Sequence, residues 1–243
     1  MENKYKILVL SDIDNSTEEI LKTSVNIAKI VDGEIDVFCV KKPNDLVEKE
    51  SQLSAMRTIN ESFIKADNKI KAIKKQLFEN TKINISHKIS FGNLKDEINN
   101  HLVKTNPDIV VLGKRKSNIL SFLGDNMLSF LLKKHKGSII ITDSNTVLKK
   151  GSELSLGVLN DIDQNTNDFT KKLTIASKKP LKSFLLSKNK PVFNKLITDE
   201  KDKKVREEGY VNEIDMFLVH KSEKNMNIGR FINNTNCSIL FTN

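Results

Sequence analysis

The feature of this sequence that most constrains its fold is an internal repeat. Three short segments of the first half recur in the second half, and they recur in the same order. The matching segments are LVLSDIDN and GVLNDIDQ (residues 8–15 and 157–164), DIVVLGK and DMFLVHK (108–114 and 215–221), and SIIIT and SILFT (138–142 and 238–242). Repetition of this kind indicates that the chain consists of two copies of one structural unit.

The second copy is shorter than the first. Between the first and second matching segments the second copy lacks 42 residues, which correspond to a long helical pattern at residues 45–80 of the first copy. We therefore predict a complete domain at residues 1–148 and a degenerate, shortened domain at residues 149–243, each with its own parallel sheet. We expect the two domains to pack against each other as an internal pseudo-dimer.

The first copy alternates between apolar runs typical of buried strands and segments with helical periodicity. The predicted strands lie at residues 6–10, 35–40, 83–90, 109–112 and 138–142. Strands that alternate with helices form a parallel sheet with right-handed crossovers, so the predicted fold class is α/β and Rossmann-like. In such sheets ligands bind beyond the carboxyl ends of the strands, which places Asp12, Val40 and Gly113 near one another.

The second copy repeats this pattern in reduced form. Its predicted strands lie at residues 154–159, 181–186, 192–197, 214–219 and 238–241, and its predicted helices at 165–178, 201–212 and 227–234. The sequence therefore predicts two tandem parallel-sheet domains, of which the second is truncated.

Composition and charge exclude several classes of protein. The net charge is +9, but Lys and Arg are spread along the chain and aromatic residues make up only 6%, so we expect no nucleic-acid partner. No apolar run approaches the length of about 18 residues that a membrane span needs. The apolar run near the N-terminus is too short for a signal peptide. These features predict a cytoplasmic protein with no membrane partner.

Residues that bind metals or form disulfides are dispersed along the chain. Cys39 and Cys237 each lie within an apolar run, and we predict that both are reduced thiols in the core. The four histidines do not pair with cysteines or carboxylates at metal-ligand spacing. No metal site is therefore predicted.

Two segments of the first copy carry a family resemblance. The strand ILVLSD at residues 7–12 is followed by a helix start rich in Ser, Thr and Asn, and DIVVLG at 108–113 is followed by a loop that ends at Gly124 and by a last strand. Together these segments resemble the universal stress protein family, well over residues 4–144 and, through the repeat, weakly over 154–243. The resemblance implies a non-catalytic stress-response or regulatory protein that can form a homodimer.

The resemblance also implies a nucleotide site in the first domain. Some members of this family resemble adenine-nucleotide binders that hold ATP or AMP, with a motif of Gly, two residues, Gly, nine residues and Gly-Ser or Gly-Thr. Small residues let backbone N–H groups approach phosphates, and a helix N-terminus adds positive potential. Carried over, the binding residues are Asp12, Val40, Gly113 and Gly124, with Lys114 and Asp125 beside them.

This chain departs from the motif in ways that predict weak binding. Lys116 replaces the second Gly, only seven residues separate it from Gly124, and Asp125 replaces the closing Ser or Thr. A carboxylate at that position would cap the N–H groups that a phosphate needs and repel it by about 1–4 kcal/mol, although Lys114 and its neighbours can offset this. In the second copy His220 replaces Gly113, and we predict no nucleotide binding there.

Two other functions fit parts of the sequence. Asp12 and Asp14 after an apolar strand resemble the motif of aspartate-nucleophile phosphohydrolases, in which one carboxylate attacks phosphorus and the other is an acid/base. Those enzymes also need an acidic pair that holds Mg²⁺, and the alternative role for Asp14 is an Asx turn or helix cap. The long helix at 45–80 could instead bind a partner protein.

Overall fold

The computed structural model describes residues 4–14, 16–41, 52–114, 126–143, 153–159, 167–187, 190–197, 214–221 and 227–242. The elements of the first half are β1 (Tyr5–Leu10), α1 (Thr17–Val31), β2 (Gly33–Lys41), α2 (Gln52–Thr81), β3 (Ile85–Phe91), α3 (Leu94–Thr105), β4 (Ile109–Lys114), α4 (Asn126–Lys134) and β5 (Ser138–Asp143). Those of the second half are β6 (Leu156–Leu159), α5 (Asp168–Ile175), β7 (Leu181–Ser187), β8 (Lys190–Ile197), β9 (Met216–His220), α6 (Ile228–Asn234) and β10 (Ser238–Thr242).

These ten strands form one continuous sheet in the order β3-β2-β1-β4-β5-β10-β9-β6-β7-β8. The predicted mixed α/β fold with a mostly parallel sheet is confirmed, but the prediction of two separate sheets is wrong. Strands β5 and β10 pair antiparallel, with Ile140 opposite Leu240, and this pair joins the halves. An unpaired strand edge leaves backbone N–H and C=O groups without partners, and here each half covers the edge of the other.

The two halves have the same strand order on either side of this junction. Outward from it, the first half reads β5-β4-β1-β2-β3 and the second reads β10-β9-β6-β7-β8. The three strands that carry the repeated segments, β6, β9 and β10, therefore occupy the places of β1, β4 and β5.

The outermost strand of the second half runs in the opposite direction from its counterpart. Strand β3 is parallel to β2, whereas β8 is antiparallel to β7. A parallel connection needs a crossover of about a dozen residues or more, which the 30-residue helix α2 supplies in the first half. Only two residues separate Ser187 from Lys190, so β8 can only return as a hairpin. The prediction of a wholly parallel second sheet is therefore wrong at this strand.

The structure can be compared with some of the predicted helices but not with all of them. The long helical pattern at 45–80 corresponds to α2, the pattern at 165–178 to α5 and the pattern at 227–234 to α6. The start of the long pattern, at 45–51, and the helix predicted at 201–212 lie outside the described residues. None of the helices in the described part of the chain combines the length and hydrophobicity needed to cross a bilayer.

Helices cover both faces of the sheet. One core cluster joins the inward residues of α1, α2 and α5 to one face, and a second joins those of α3, α4 and α6 to the other. Cys39 and Cys237 are both buried free thiols, as predicted. Burial raises the pKa of each thiol to about 12, so both are protonated at neutral pH.

Candidate functional site

The carboxyl ends of β1, β2 and β4 meet at one edge of the sheet. Strand β1 lies between the other two, and Leu10 is opposite both Phe38 and Leu112. Asp12 follows two residues after Leu10, Val40 two residues after Phe38, and Gly113 one residue after Leu112. The register therefore brings the ends of these three strands to one edge, which is where ligands bind in parallel α/β sheets.

The turn that follows β1 is fixed by side-chain hydrogen bonds. The backbone N–H of Ile13 donates to Ser11 Oγ (3.1 Å), and Ser11 Oγ lies 2.9 Å from Thr17 Oγ1. Ile13 has φ 57°, a conformation that costs a β-branched residue about 1–3 kcal/mol. Lys41 Nζ donates to the backbone carbonyl of Asp12 at 2.7 Å and ties the turn to the end of β2.

Asp14 holds the start of α1. Its Oδ1 accepts hydrogen bonds from the backbone N–H of Ser16 (2.9 Å), from Ser16 Oγ (2.7 Å) and, more weakly, from Thr17 Oγ1 (3.5 Å). This is the Asx turn expected as the alternative to an acid/base role. Among the described residues no group of three or more His, Cys, Asp or Glu side chains could hold a metal ion. Nothing in these contacts favours the phosphohydrolase hypothesis.

Val40 presents its backbone, not its side chain, to this edge. Its side chain is buried in the core between the sheet and α3. The carbonyl of Phe38 accepts from the N–H of Ser11 (3.2 Å), whereas the carbonyl of Lys41 accepts from Gly92 on the other side (3.1 Å). Because backbone polar groups alternate in direction along a strand, those of Val40 face the space where β1 has ended.

Gly113 has a packing role that the sequence did not reveal. A Cβ at this position would lie 2.3 Å from Cδ1 and 2.8 Å from Cγ1 of Ile20, in the first turn of α1. The side chain of Ile20 is buried and occupies the space above Gly113. The glycine therefore allows α1 to approach β4 closely, whatever else it does.

Lys114 reaches across the junction between the halves. Its Nζ lies 3.4 Å from Asp143 Oδ2 and donates to the backbone carbonyl of Thr235, which follows α6. Both charged side chains are largely buried, with 15% and 7% of their surface exposed. The charge of Lys114 is therefore already balanced within the protein, at the end of β4.

Lys221 makes the reciprocal contact from the second half. In the repeat it corresponds to Lys114, and its Nζ donates to the carbonyls of His135 (3.1 Å) and Gly137. His135 and Thr235 each lie three residues before the matching last strands, so the two lysines bond equivalent positions in opposite halves. Sequence reasoning missed this pair, although the lysine is the last residue of both matching segments.

Two of the candidate binding residues fall outside the described part of the chain. These are Gly124 and Asp125. Lys116, which replaces the second Gly of the motif, also lies outside the described part. The other four candidate residues, Asp12, Val40, Gly113 and Lys114, lie at or just beyond the ends of β1, β2 and β4.

A doubly covered, mostly parallel sheet with a ligand-type edge at the ends of β1, β2 and β4 defines a Rossmann-like α/β protein. The description "Universal stress protein family" belongs to a family model that matches residues 5–139, more than half of the chain. The chain therefore belongs to the universal stress protein family, and the resemblance seen in its sequence is confirmed.

A solved structure that aligns with nearly the whole chain shares this fold. A universal stress protein from Archaeoglobus fulgidus is 14% identical and aligns over 97% of both chains, with a TM-score of 0.64. Universal stress protein UspA from Lactobacillus plantarum is 18% identical and covers 58% of this chain and 99% of its own, with a TM-score of 0.45. A family member from Arabidopsis thaliana, solved with AMP bound, is 18% identical and covers 57% and 91%, with a TM-score of 0.36. A comparison with curated proteins gave no match.

Proposed function

We propose that this chain is a non-catalytic, cytoplasmic regulatory protein of the stress response, with a complete domain at residues 1–148 and a shortened one at 149–243. The observation that carries the proposal is the family match over residues 5–139. The turn after β1 supports a role without catalysis, because the carboxylate of Asp14, which would be the acid/base of a phosphohydrolase, accepts hydrogen bonds at the start of α1.

We further propose that the two domains form an internal pseudo-dimer. The antiparallel pairing of β5 with β10 and the reciprocal contacts of Lys114 and Lys221 support this arrangement. The backbone N–H of Asp143 also donates to Ser238 Oγ across the junction, at 3.3 Å. Because β5 and β10 are already paired with each other, a homodimer of this chain would use a different surface.

The first domain, in this proposal, binds an adenine nucleotide such as ATP or AMP weakly. Asp12 and the backbone of Val40 would hold the nucleoside, and Gly113 with the loop that ends at Gly124 would approach the phosphates. Two contacts explain why affinity would be low: Ile20 fills the space above Gly113, and Lys114 is paired with Asp143. Asp125 adds repulsion of phosphate at close range.

The experiment is mass spectrometry of small molecules released from freshly purified protein, followed by calorimetric titration with ATP and AMP. We expect copurified or titratable nucleotide, and we expect Asp125→Ser to tighten binding at least fivefold, which corresponds to about 1 kcal/mol of relieved repulsion. The matched control is Asp168→Ser, which removes a carboxylate from the first turn of α5 in the second half and should leave affinity unchanged.

The outcomes separate the parts of the proposal. Absence of bound nucleotide together with absence of heat would remove the nucleotide site and leave a regulatory scaffold. Weaker binding in the Asp125→Ser variant would refute the electrostatic argument. Turnover of ATP by the wild-type protein would contradict the non-catalytic role.

A further inference from the structure

A second cleft lies on the first half, away from the nucleotide-type edge. It has a volume of about 370 Å³, within the range of small-molecule sites. Its floor is the amino-terminal part of β1, β2 and the start of β3, and its wall is the end of α3. The charged side chains that line it are Lys6, Glu34, Asp36 and Lys104.

The floor of the cleft belongs to the same face of the sheet that is buried in the core further along β1 and β2. On the same face of β1 and β2, Leu8 and Phe38 are buried beneath the helices. Helix α3 ends at Thr105, so the face emerges from cover at Lys6 and Glu34, which are opposite each other in the register. The change from apolar to charged residues therefore falls where the sheet becomes accessible to a ligand.

Asp36 is held in place by the protein. Its Oδ2 accepts a hydrogen bond from His101 Nε2 at 2.8 Å, and its Oδ1 accepts one from Ser86 Oγ at 2.6 Å. His101 is only 6% exposed and stacks on Phe38, with ring centroids 4.0 Å apart and planes within 6°. A buried, stacked imidazole has little freedom to move, so it fixes the orientation of the carboxylate as a supporting shell does.

This carboxylate is also charged. Burial disfavours its ionised form, but the hydrogen bonds from His101 and Ser86 outweigh that cost, and the pKa of Asp36 is lowered. Its side chain remains 31% exposed to the cleft side of the molecule. The carboxylate of Asp36 is therefore charged, held in one orientation and accessible from the cleft.

The other charged side chains of the cleft form no ion pairs with described residues. These side chains are those of Lys6, Glu34 and Lys104. The cleft thus brings two cations and two anions together across a space large enough for a small molecule. A ligand with both signs of charge would complement this arrangement, whereas a simple anion or cation would meet like charge.

We propose that this cleft binds a small zwitterion of the amino-acid class, with its ammonium group on Asp36 and Glu34 and its carboxylate on Lys6 and Lys104. The site is separate from the nucleotide-type edge and does not depend on nucleotide binding. The first half would then have a second ligand site, in addition to the proposed nucleotide site.

The test is ligand-detected NMR and calorimetry of the full chain with each of the proteinogenic amino acids at millimolar concentration. Each amino acid that binds is then compared with its amide, which lacks the carboxylate, and with its N-acetyl derivative, which lacks the ammonium group. We expect at least one amino acid to bind and both of its derivatives to bind at least tenfold more weakly. ATP should not displace it.

Variants locate the site. Asp36→Asn should weaken binding at least tenfold, and so should Lys104→Met, which changes an exposed residue and leaves the fold intact. The matched control is Asp67→Asn, which removes another carboxylate that accepts from a histidine, His87 Nε2 at 2.8 Å, outside the cleft. The proposal is overturned if no amino acid binds, if the derivatives bind equally well, or if Asp67→Asn weakens binding as much as Asp36→Asn does.

Discussion

His135 should make the stability of this protein depend on pH between neutral and mildly acidic conditions. It follows α4 at the junction between the halves, is 8% exposed, and has a buried Nε2 with no hydrogen-bond partner among the described residues. Burial, reinforced by the positive charge of Lys221, lowers the pKa of His135 from 6.5 to about 4 and outweighs the nearby backbone groups of Asp108 and Ser138, which act in the opposite direction. Protonation of this side chain is therefore disfavoured in the folded state.

The sign and size of the effect follow from proton linkage. The unfolded chain takes up a proton near pH 6.5 and the folded chain only near pH 4, so the contribution is fully present above pH 6.5 and is lost as pH falls towards 4. At about pH 5 the loss amounts to about 2 kcal/mol, and it approaches about 3 kcal/mol once both states are protonated. For a domain of ordinary stability this is a large fraction of the free energy of unfolding.

The perturbation that tests this is His135→Thr, because threonine is the residue at the equivalent position of the second half. Thr235 is itself buried, and its Oγ1 donates to the carbonyl of Phe231 at 2.7 Å. Urea unfolding followed by circular dichroism at about pH 7.5 and about pH 5 gives the free energy of unfolding of each protein. We expect the wild type to lose about 2 kcal/mol more than the variant between these pH values.

Surface carboxylates titrate in the wild type and in the variants alike, so their contribution to the pH dependence of stability cancels when the proteins are compared. His220→Thr, which removes an exposed histidine, is the control and should behave as the wild type does. Equal losses in the wild type and in His135→Thr would refute the reasoning, because the pH dependence would then arise elsewhere.

Two further predictions concern the junction and its packing. Lys114→Met and Lys221→Met should each lower the free energy of unfolding by about 1–3 kcal/mol, because buried carbonyls lose a hydrogen-bond donor. A double-mutant cycle measured by urea unfolding should show near-additive effects. Unchanged stability in both variants would contradict the reciprocal contact. Gly137→Ala should destabilise by about 3 kcal/mol, since its Cβ would lie 2.1 Å from the Asp108 carbonyl. The control is Gly229→Ala, whose Cβ would have no neighbour closer than 3.7 Å. This substitution should stabilise α6 by about 0.5–1 kcal/mol. Similar unfolding midpoints for the two alanine variants would argue against the packing at Gly137.

The sequence predicted the units of this fold better than their assembly. Apolar runs identified the strands because a parallel sheet buried on both faces leaves little polar alternation. The pairing of β5 with β10 was missed because SIIIT reads as a buried strand whichever strand lies beside it. One signal was available: β5 ends its unit, yet none of its residues protects an open edge, as a lysine or proline would. The gap of only five residues between the strands predicted at 181–186 and 192–197 likewise indicated a hairpin.

The candidate site shows a different limit. The helix-capping role of Asp14 could be anticipated, because its partners Ser16 and Thr17 follow it directly in the chain. The bond from Lys114 to Thr235 could not be anticipated, because its acceptor is a backbone carbonyl 121 residues away that carries no side-chain signature. Interactions with backbone atoms of distant residues depend on the assembled fold, so a lysine beside a predicted phosphate loop is read as a phosphate ligand.

The features that the second half retains and those that it has lost fall in different places. It keeps the last strand and the lysine after the fourth strand of the unit, and both lie at the junction. Between β7 and β8 it has no room for the crossover helix that in the first half covers the sheet near the far edge, and it has His220 in place of Gly113 at the ligand-type edge. The repeated segment after the first strand is also kept, so the losses of the second half are concentrated at its outer strands and at the position of Gly113. We therefore expect substitutions at the junction to affect the stability of both halves, and substitutions at the ends of β1, β2 and β4 to affect the first half alone.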